Sequence, residues 1–353
     1  MTQQPGQPDF SPEQFFRRPD VYLLEFTAKG GNLVPMTRDS YQQSIFTDKG
    51  RIVPASPTGW EIGMADLLQG YESQRLEQPA LGIVFHIAHC GSTLLARALD
   101  VADRTLVYRE PFTLRQLAAD AASKPGGPAD PKGWQRQLRL ATGLLGRTFS
   151  PTQNAIIKAN VPVNFIIPQL MNLADDSRGI LLYAGLEHYL LSVLKTPMHQ
   201  RWVMNVLGHV AGGVMATDPF GGVAMAGIAP PQAAASLWLA QMYRFADALA
   251  DGPRLRSLDC EDLFSRPDET ITAAFRHLGT EMDDAEVEGI VKSDLFDRHA
   301  KNPGRPYDAA IREAELGQLR RHLSTELAAG LAWADEIMAR RGLELPLPNP
   351  LLV

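Results

Sequence analysis

Runs of apolar residues alternate with amphipathic segments along the middle of the chain. Leu81–Ala88 (LGIVFHIA) is almost entirely apolar, which is typical of a parallel strand buried on both faces. A turn of small residues and an amphipathic stretch follow it, and the same strand–helix order recurs downstream. The predicted strands cover 81–88, 104–110, 154–160 and 179–184, and the predicted helices cover 93–103, 111–122, 134–147, 164–174 and 186–194. This alternation predicts an α/β fold, with a mostly parallel sheet and helices on both of its faces.

The N-terminal section has a different pattern. Residues 1–20 are rich in Pro and Gln, which predicts a disordered tail. Two apolar runs, Val21–Ala28 and Asn32–Thr37, flank Lys29–Gly31, and a Gly-Gly pair between such runs predicts a β-hairpin. Asp48–Val53 predicts one more short strand. We therefore expect an accessory β region before the main domain.

The second half is mainly helical in pattern. Pro230–Leu249 is a long Ala-rich segment that predicts a helix, and Arg254–Cys260 predicts the last strand of the sheet. Ile311–Arg341 predicts one or two helices with charged outer faces, giving a helical C-terminus. The chain is thus divided into a tail (1–20), an accessory β region (21–78) and one α/β domain (79–345).

The Gly-, Ala- and Met-rich run Val210–Ala229 is the most membrane-like segment. A membrane helix needs about 20 apolar residues, and this run is interrupted by Asp218, Pro219 and several glycines. It therefore predicts a loop or mobile lid rather than a membrane span. Its methionines favour either an adaptable apolar lid or simple core filling; those in and near the run are Met204, Met215 and Met225.

Composition narrows the class of protein. The 353 residues carry 34 basic and 40 acidic side chains and a net charge of −6, so no general affinity for nucleic acid is expected. The two cysteines, Cys90 and Cys260, are too few for a disulfide framework and favour reduced thiols. The N-terminus lacks the apolar core of a secretory signal. These features predict a cytoplasmic protein; they leave its oligomeric state open.

The strongest local signal is the loop Ala88–Thr93, where a buried strand runs into small residues that open a helix. Backbone N–H groups at a helix start have no intrahelical partner and attract anions, and Gly91 lets the backbone approach closely. The Ser92 and Thr93 hydroxyls add donors. We expect this loop to bind a phosphate-bearing nucleotide; the alternative is an ordinary junction with a Ser/Thr N-cap. The loop lacks the GxxxxGK[ST] pattern, which disfavours kinase or NTPase chemistry.

The segment HIAHCGSTLLARAL (His86–Leu99) resembles the 5′-phosphosulfate loop of sulfotransferases. Four further segments resemble the family in the same order: Val107–Pro111 (VYREP), Ile156–Asn160 (IIKAN), Gly179–Leu194 and Leu255–Gly279. The resemblance spans about residues 81–305. It implies a divergent, bacterial-type member with a P-loop-like three-layer fold. Such an enzyme transfers a sulfuryl group from 3′-phosphoadenosine 5′-phosphosulfate (PAPS) to a hydroxyl or amine.

The resemblance also implies roles for individual residues. Ser192 would contact the 3′-phosphate of PAPS, and Lys158 would stabilise charge on the phosphosulfate. Glu110 would be the general base, because an acceptor hydroxyl must lose its proton as it attacks sulfur. Without that resemblance, the alternative for Glu110 is a solvated carboxylate at a strand end that pairs with Arg109 or Arg115. The alternative for Lys158 is a lysine at a strand end whose ammonium extends to solvent. The residues implied to surround the 5′-phosphosulfate are His89, Cys90, Gly91, Ser92, Thr93 and Leu94.

Two departures from the family pattern bear on donor binding. His89 stands where the family carries Lys or Arg, although an imidazole still donates a hydrogen bond and bound phosphate promotes its protonation. Ala184 stands where the 3′-phosphate arginine is expected, and alanine cannot pair with phosphate. A basic loop is expected to supply the missing cation: Arg298, Lys301 and Arg305. Its alternative is a solvated basic turn.

The residues leave three functions open. The first is a sulfotransferase acting on a small molecule or a glycan, with PAPS as co-substrate and no metal. The second is a non-catalytic relative that binds a nucleotide, a phosphate or a protein partner, which Ala184 favours. The third is a P-loop transferase or kinase with another donor. Other histidines that would serve as bases are His188, His209 and His299.

Overall fold

The computed structural model of the protein describes residues 12–123, 126–215, 220 and 227–352. Ten strands are found in these ranges. In chain order they are β1 (Val21–Phe26), β2 (Gly30–Pro35), β3 (Trp60–Gly63), β4 (Gly82–His86), β5 (Thr105–Arg109), β6 (Asn154–Lys158), β7 (Arg178–Tyr183), β8 (Leu255–Asp259), β9 (Arg298–His299) and β10 (Asn302–Pro306).

Fifteen α-helices lie before, between and after these strands within the described ranges. They are α1 (Pro12–Arg17), α2 (Arg38–Gln43), α3 (Met64–Ser73), α4 (Ser92–Ala98), α5 (Phe112–Ala122), α6 (Pro131–Leu145), α7 (Ile167–Met171), α8 (Leu186–Leu194), α9 (Pro197–Met215), α10 (Pro230–Leu249), α11 (Cys260–Ser265), α12 (Pro267–His277), α13 (Asp284–Val291), α14 (Ala309–His322) and α15 (Ser324–Met338). A 3₁₀ helix covers Val161–Ile166.

The main sheet is parallel and five-stranded, in the order β5–β6–β4–β7–β8. Strands β4 and β5 are buried along their whole length, which explains their continuous apolar sequence. From β6 the chain crosses β4 to reach β7, so the direction of strand addition reverses beside β4. In open α/β sheets, ligands bind outside the carboxyl ends of the strands at such a reversal. The loop after β4 occupies that place.

The predicted α/β fold with a mostly parallel sheet is confirmed, and two local predictions are wrong. Asp48–Val53 forms a turn instead of a strand, because the Asp48 carbonyl and carboxylate accept hydrogen bonds from the following backbone N–H groups. The strand that completes the N-terminal hairpin sheet is β3. The helix expected over 164–174 is divided between the 3₁₀ helix and α7, each of which has a proline in its first turn.

The tail predicted over residues 1–20 is ordered from residue 12 onward, while residues 1–11 lie outside the described ranges. The two phenylalanines of α1, Phe15 and Phe16, are only 2% and 4% exposed. They pack with Leu140 and Leu144 of α6 in a hydrophobic cluster that also includes α3. Burial of two aromatic side chains outweighs the polar composition that predicts disorder.

Arg147 joins this N-terminal region to the α/β domain. Its side chain is 5% exposed and donates from Nε to the Leu144 carbonyl at 2.7 Å and from Nη2 to the Val21 carbonyl at 2.9 Å. A third hydrogen bond goes from Nη1 to the Phe15 carbonyl. One buried guanidinium therefore satisfies carbonyls of α1, β1 and α6.

We expect Arg147→Met to lower the free energy of unfolding by about 3 kcal/mol, because buried carbonyls left without donors cost about 1–3 kcal/mol each. Urea denaturation measures the change. Arg139→Met, an exposed position on α6, is the matched control and should change stability by less than about 0.5 kcal/mol. Equal stability of the two variants would show that Arg147 does not join the regions.

The segment Val210–Ala229 is only partly described. Its beginning continues α9, which ends at Met215, and residues 216–219 and 221–226 lie outside the described ranges. The hypothesis of a lid, with Met225, falls in that part and stays a prediction. Among the described helices, none combines the length and the apolar character needed to cross a membrane.

Candidate active site

The loop between β4 and α4 has an unusual backbone. Ala88 and His89 have φ angles of 72° and 53°, a region rare for residues that carry a side chain, and Gly91 has a φ of 78°. A Cβ at Gly91 would also lie 3.1 Å from side-chain atoms of Leu263 and Phe264. Backbone strain of this kind persists where the surroundings enforce it, and it concentrates at ligand-binding and catalytic loops.

The start of α4 exposes donors to this loop. Gly91 is the N-cap residue of α4, and it has no side chain that could cap the helix. The alternative, an ordinary junction with a Ser/Thr N-cap, is therefore wrong. The first N–H groups of α4 have no intrahelical acceptor. Ser92 and Thr93 are 5% and 4% exposed, and the Thr93 hydroxyl oxygen is buried without a hydrogen-bond partner among the described residues. A buried, unpartnered hydroxyl beside free N–H groups suits an anionic ligand.

Glu110 and Lys158 meet at the carboxyl edge of the sheet. Parallel pairing sets Arg109 of β5 opposite Lys158 of β6, which brings the next residue, Glu110, to the end of the neighbouring strand. The Lys158 ammonium donates to Glu110 Oε1. Lys158 is 1% exposed and burial lowers its pKa, while the charge of Glu110 opposes that shift. Glu110 has a φ of 57°, so its backbone is also strained.

Neither of the alternative partners, Arg109 and Arg115, forms an ion pair with Glu110. The guanidinium of Arg109 lies 3.3 Å from Asp100 and donates to the carbonyls of Tyr41 and Gln42. Arg115 forms no ion pair with any carboxylate in the described part of the chain. Glu110 is therefore held by Lys158, a contact that the sequence did not predict.

His86 is a site residue that sequence reasoning missed. It ends β4 with 3% exposure, and its Nδ1 accepts a hydrogen bond from the Ala88 N–H at 3.0 Å. The proton of the neutral ring therefore lies on Nε2, which is 3.8 Å from Glu110 Oε1 and has no hydrogen-bond partner among the described residues. Burial holds the pKa of His86 well below its usual value. A polar residue at the end of an apolar strand was the available signal.

Two cavities of about 390 Å³ each adjoin the loop, and His89, Ser92 and Lys301 line both of them. We call the first the α8 cavity, because two residues of α8, His188 and Ser192, line it. The second, the Glu110 cavity, contains Glu110 and His86. Both volumes fall within the usual range for small-molecule sites. The loop thus borders two cavities, each large enough for a small molecule.

Most residues predicted to contact the nucleotide line the α8 cavity. They are His89, Gly91, Ser92, Thr93, Leu94, Ser192, Arg298 and Lys301. Arg305 is not among the lining residues: its guanidinium lies 3.7 Å from Glu315 and its side chain is 52% exposed. The Cys90 thiol is fully buried, lies 3.6 Å from the Leu182 carbonyl and has its pKa raised to about 11 by burial. Cys90 can therefore contact a ligand only through its backbone.

His89 is not a fixed cation, in contrast to the Lys or Arg that the resemblance implies at this position. Its ring lies 5.1 Å from the ring of His199 and 5.7 Å from that of Trp202. Burial, and then the charge of Lys301, hold the pKa of His89 well below its usual value. His89 is therefore neutral near pH 7, and Lys301 provides positive charge at the junction of the two cavities.

No cation replaces the missing arginine at Ala184 itself. Ala184 is fully buried, and its carbonyl accepts a hydrogen bond from the Trp238 indole at 2.9 Å. Trp238 is 1% exposed and belongs to the long helix α10. The side of β7 next to Ala184 is thus filled by apolar packing, and a phosphate needs a cation from elsewhere in the cavity.

Arg312 on α14 is such a cation, and sequence reasoning missed it. It lines the α8 cavity with a side chain only 11% exposed, and its guanidinium carbon lies 4.1 Å above the Phe264 ring. It donates to Glu261, while its Nε is buried without a partner in the described ranges. Contacts with His188 and Arg312 lower the pKa of Glu261 to about 2. The guanidinium is therefore both oriented and incompletely paired.

One group of side chains in the described part of the chain has the spacing of a metal site. The ligand atoms of His188, Cys260 and Glu261 lie within 4.8 Å of one another. Arg312 donates to the same Glu261 oxygen that faces His188. A guanidinium at that oxygen competes with a divalent cation, and burial raises the pKa of the Cys260 thiol well above its usual value. The group fits a hydrogen-bonding role better than metal binding.

Comparisons with known proteins give similarity at the level of solved structures. No protein-family model matches the chain, and no curated protein matches it. The sulfotransferase domain from the curacin biosynthetic pathway is 13% identical, with a TM-score of 0.39 over 70% of this chain and 99% of that one. A sulfotransferase from Alicyclobacillus acidocaldarius is 12% identical, with a TM-score of 0.35 over 75% and 97%. A retinol dehydratase in complex with androsterone and inactive cofactor PAP is 12% identical, with a TM-score of 0.38 over 82% and 90%.

Proposed function

We propose that this protein is a sulfotransferase that transfers a sulfuryl group from PAPS to a hydroxyl or amine of an acceptor. The observation that carries the proposal is the junction of two cavities at the loop His89–Thr93, with Glu110, which Lys158 holds, lining only one of them. A transferase of this kind needs a donor site, an acceptor site and a base between them. The segments that resemble sulfotransferases supply these same residues.

The α8 cavity is the proposed donor site. The N–H groups at the start of α4 and the unpartnered Thr93 hydroxyl would hold the 5′-phosphosulfate. Lys301 would balance its negative charge where the two cavities meet. The 3′-phosphate would contact Ser192 and Arg312, which takes the place of the arginine absent at Ala184.

The Glu110 cavity is the proposed acceptor site. As the acceptor oxygen bonds to sulfur, the bond from sulfur to the phosphate oxygen breaks and its electron pair stays on the released 3′-phosphoadenosine 5′-phosphate (PAP). The acceptor proton passes to Glu110. Lys158 fixes the carboxylate by direct hydrogen bonding, and the Nε2–H of His86 points toward the same oxygen at 3.8 Å.

Ala184 favours a second candidate, a protein that binds a nucleotide or phosphate without transfer. In that case the α8 cavity would bind its ligand, but the Glu110 cavity would have no acceptor to activate. The two candidates differ in turnover and agree in nucleotide binding, so binding and transfer must be measured separately.

The proposal is tested first by calorimetric titration of the full chain with PAP, 5′-AMP and ATP. We expect PAP to bind at least tenfold more tightly than 5′-AMP, because only PAP offers a 3′-phosphate to Arg312. ATP carries about the same negative charge as PAP but no 3′-phosphate, and it controls for general anion binding. Absence of PAP binding, or equal binding of PAP and ATP, would exclude PAPS as the donor.

A further inference from the structure

Positive charge converges on one aromatic ring in the Glu110 cavity. Phe46 is 2% exposed, and three cationic groups lie over its ring: Arg51 at 4.0 Å, the Lys158 ammonium at 4.7 Å and the Lys301 ammonium at 5.7 Å from the centroid. An aromatic ring attracts a cation, but it does not neutralise one. Three like charges at such short range need anions nearby.

The carboxylates of the described residues offset only part of this charge. Asp48 pairs with Arg51, and Glu110 pairs with Lys158. Lys301 and Arg115 also line the cavity, and neither forms an ion pair with a carboxylate in the described part of the chain. Glu110 is the one acidic residue among the described lining residues. The cavity therefore has a surplus of positive charge.

The two unpaired cations are placed differently. Lys301 lies where the two cavities meet, so its charge is next to the proposed sulfuryl group. Arg115, in the first turns of α5, lines only the Glu110 cavity and is half-buried. A guanidinium binds a carboxylate through two parallel hydrogen bonds, which an ammonium cannot do. The guanidinium carbon of Arg115 lies 6.0 Å from the centroid of the Phe112 ring, a contact that leaves its N–H donors available to an anionic group of the acceptor.

One wall of the cavity is apolar. Trp202, Val206 and Met198 of α9 line it, together with Val161 and Phe46. Met198 is 64% exposed, so this wall reaches the protein surface. Apolar walls with a few polar groups are typical of sites that bind small molecules. Such a wall suits the ring or chain of a small acceptor better than the hydroxyl-covered surface of a glycan.

We propose that the acceptor is a small hydroxy compound with an aromatic or apolar body and a carboxylate, and that Arg115 binds the carboxylate. This inference rests on the proposed function, because it assigns the Glu110 cavity to the acceptor. The hydroxyl lies toward Glu110, the body lies against Trp202, and the carboxylate pairs with Arg115. Arg115 selects the acceptor and takes no part in the transfer.

The test compares 3-(4-hydroxyphenyl)propanoate with its neutral amide as ligands of the full chain, with and without saturating PAP. Calorimetry gives both affinities, and PAP release from PAPS gives kcat and KM for each compound. We expect the acid to bind at least tenfold more tightly than the amide. In Arg115→Met this preference should disappear through a higher KM for the acid, with kcat and the affinity for the amide unchanged.

Two further variants separate recognition from folding. Arg115→Lys keeps the positive charge but cannot form two parallel hydrogen bonds with a carboxylate, so it should retain part of the preference for the acid over the amide. A merely structural role of Arg115 would not produce such a partial preference. Arg139→Met, on the exposed face of α6, should behave as the wild type. Equal or undetectable binding of acid and amide by the wild type would overturn this inference even where PAP binds selectively. Acid preference without selective PAP binding would instead support the anion site and exclude the sulfotransferase.

Discussion

Replacement of Glu110 by Gln is expected to lower kcat by about 10²–10⁴-fold, the range in which positioned general bases contribute. The amide cannot accept the acceptor proton, although it can still accept the hydrogen bond from Lys158. PAP affinity should change by less than about threefold, because Glu110 lies outside the α8 cavity. Steady-state rates of PAP release and calorimetry with PAP measure these two quantities on the same preparation.

The matched control is Glu281→Gln, which makes the same change at an exposed position outside both cavities. A thermal unfolding curve must accompany the rates, because an unpaired, buried Lys158 destabilises the fold. If Glu110→Gln keeps kcat within about threefold of the wild type while the chain is folded and binds PAP, Glu110 is not the base.

Replacement of Arg312 by Met is expected to weaken PAP binding by about 10- to 100-fold and to leave 5′-AMP binding unchanged. Hydrogen bonds to charged groups contribute about 1.5–3 kcal/mol, which corresponds to that loss. The difference between the two nucleotides is the 3′-phosphate, so their affinity ratio isolates the contact. Met keeps much of the apolar packing against Phe264 that the arginine stem provides.

Arg305→Met is the control for this experiment, since Arg305 does not line the α8 cavity and pairs with Glu315. It should preserve the PAP to 5′-AMP ratio. If the PAP to 5′-AMP affinity ratio falls in Arg305→Met but not in Arg312→Met, the assignment is reversed. The 3′-phosphate would then contact the basic loop that carries Arg305, and not Arg312. Glu261, which loses its partner in Arg312→Met, has a side chain 58% exposed and can be solvated.

The local sequence pattern was sufficient to predict the strands of the sheet and the loop after β4. The strands β4 to β7 are apolar because both of their faces are buried, and this burial leaves a continuous signal in the sequence. Gly91 and the hydroxyl residues after it are likewise local features. Glu110 and Lys158 were identified through the resemblance of their segments to sulfotransferases, and their pairing across adjacent strands could not be predicted from the sequence.

The sequence by itself determined the α/β sheet and the loop of small residues that opens a helix after β4, and its resemblance to sulfotransferases singled out Glu110 and Lys158. Only the tertiary structure decided what surrounds that loop. Arg312 meets Glu261 across 51 residues of sequence, and Arg115, Phe46 and Lys301 reach one cavity from three separate segments. The sequence patterns of strands and helices reflect the burial of residues that are close together in the chain. The contacts around the loop depend instead on how distant helices pack, and that packing produces no periodic pattern in the local sequence.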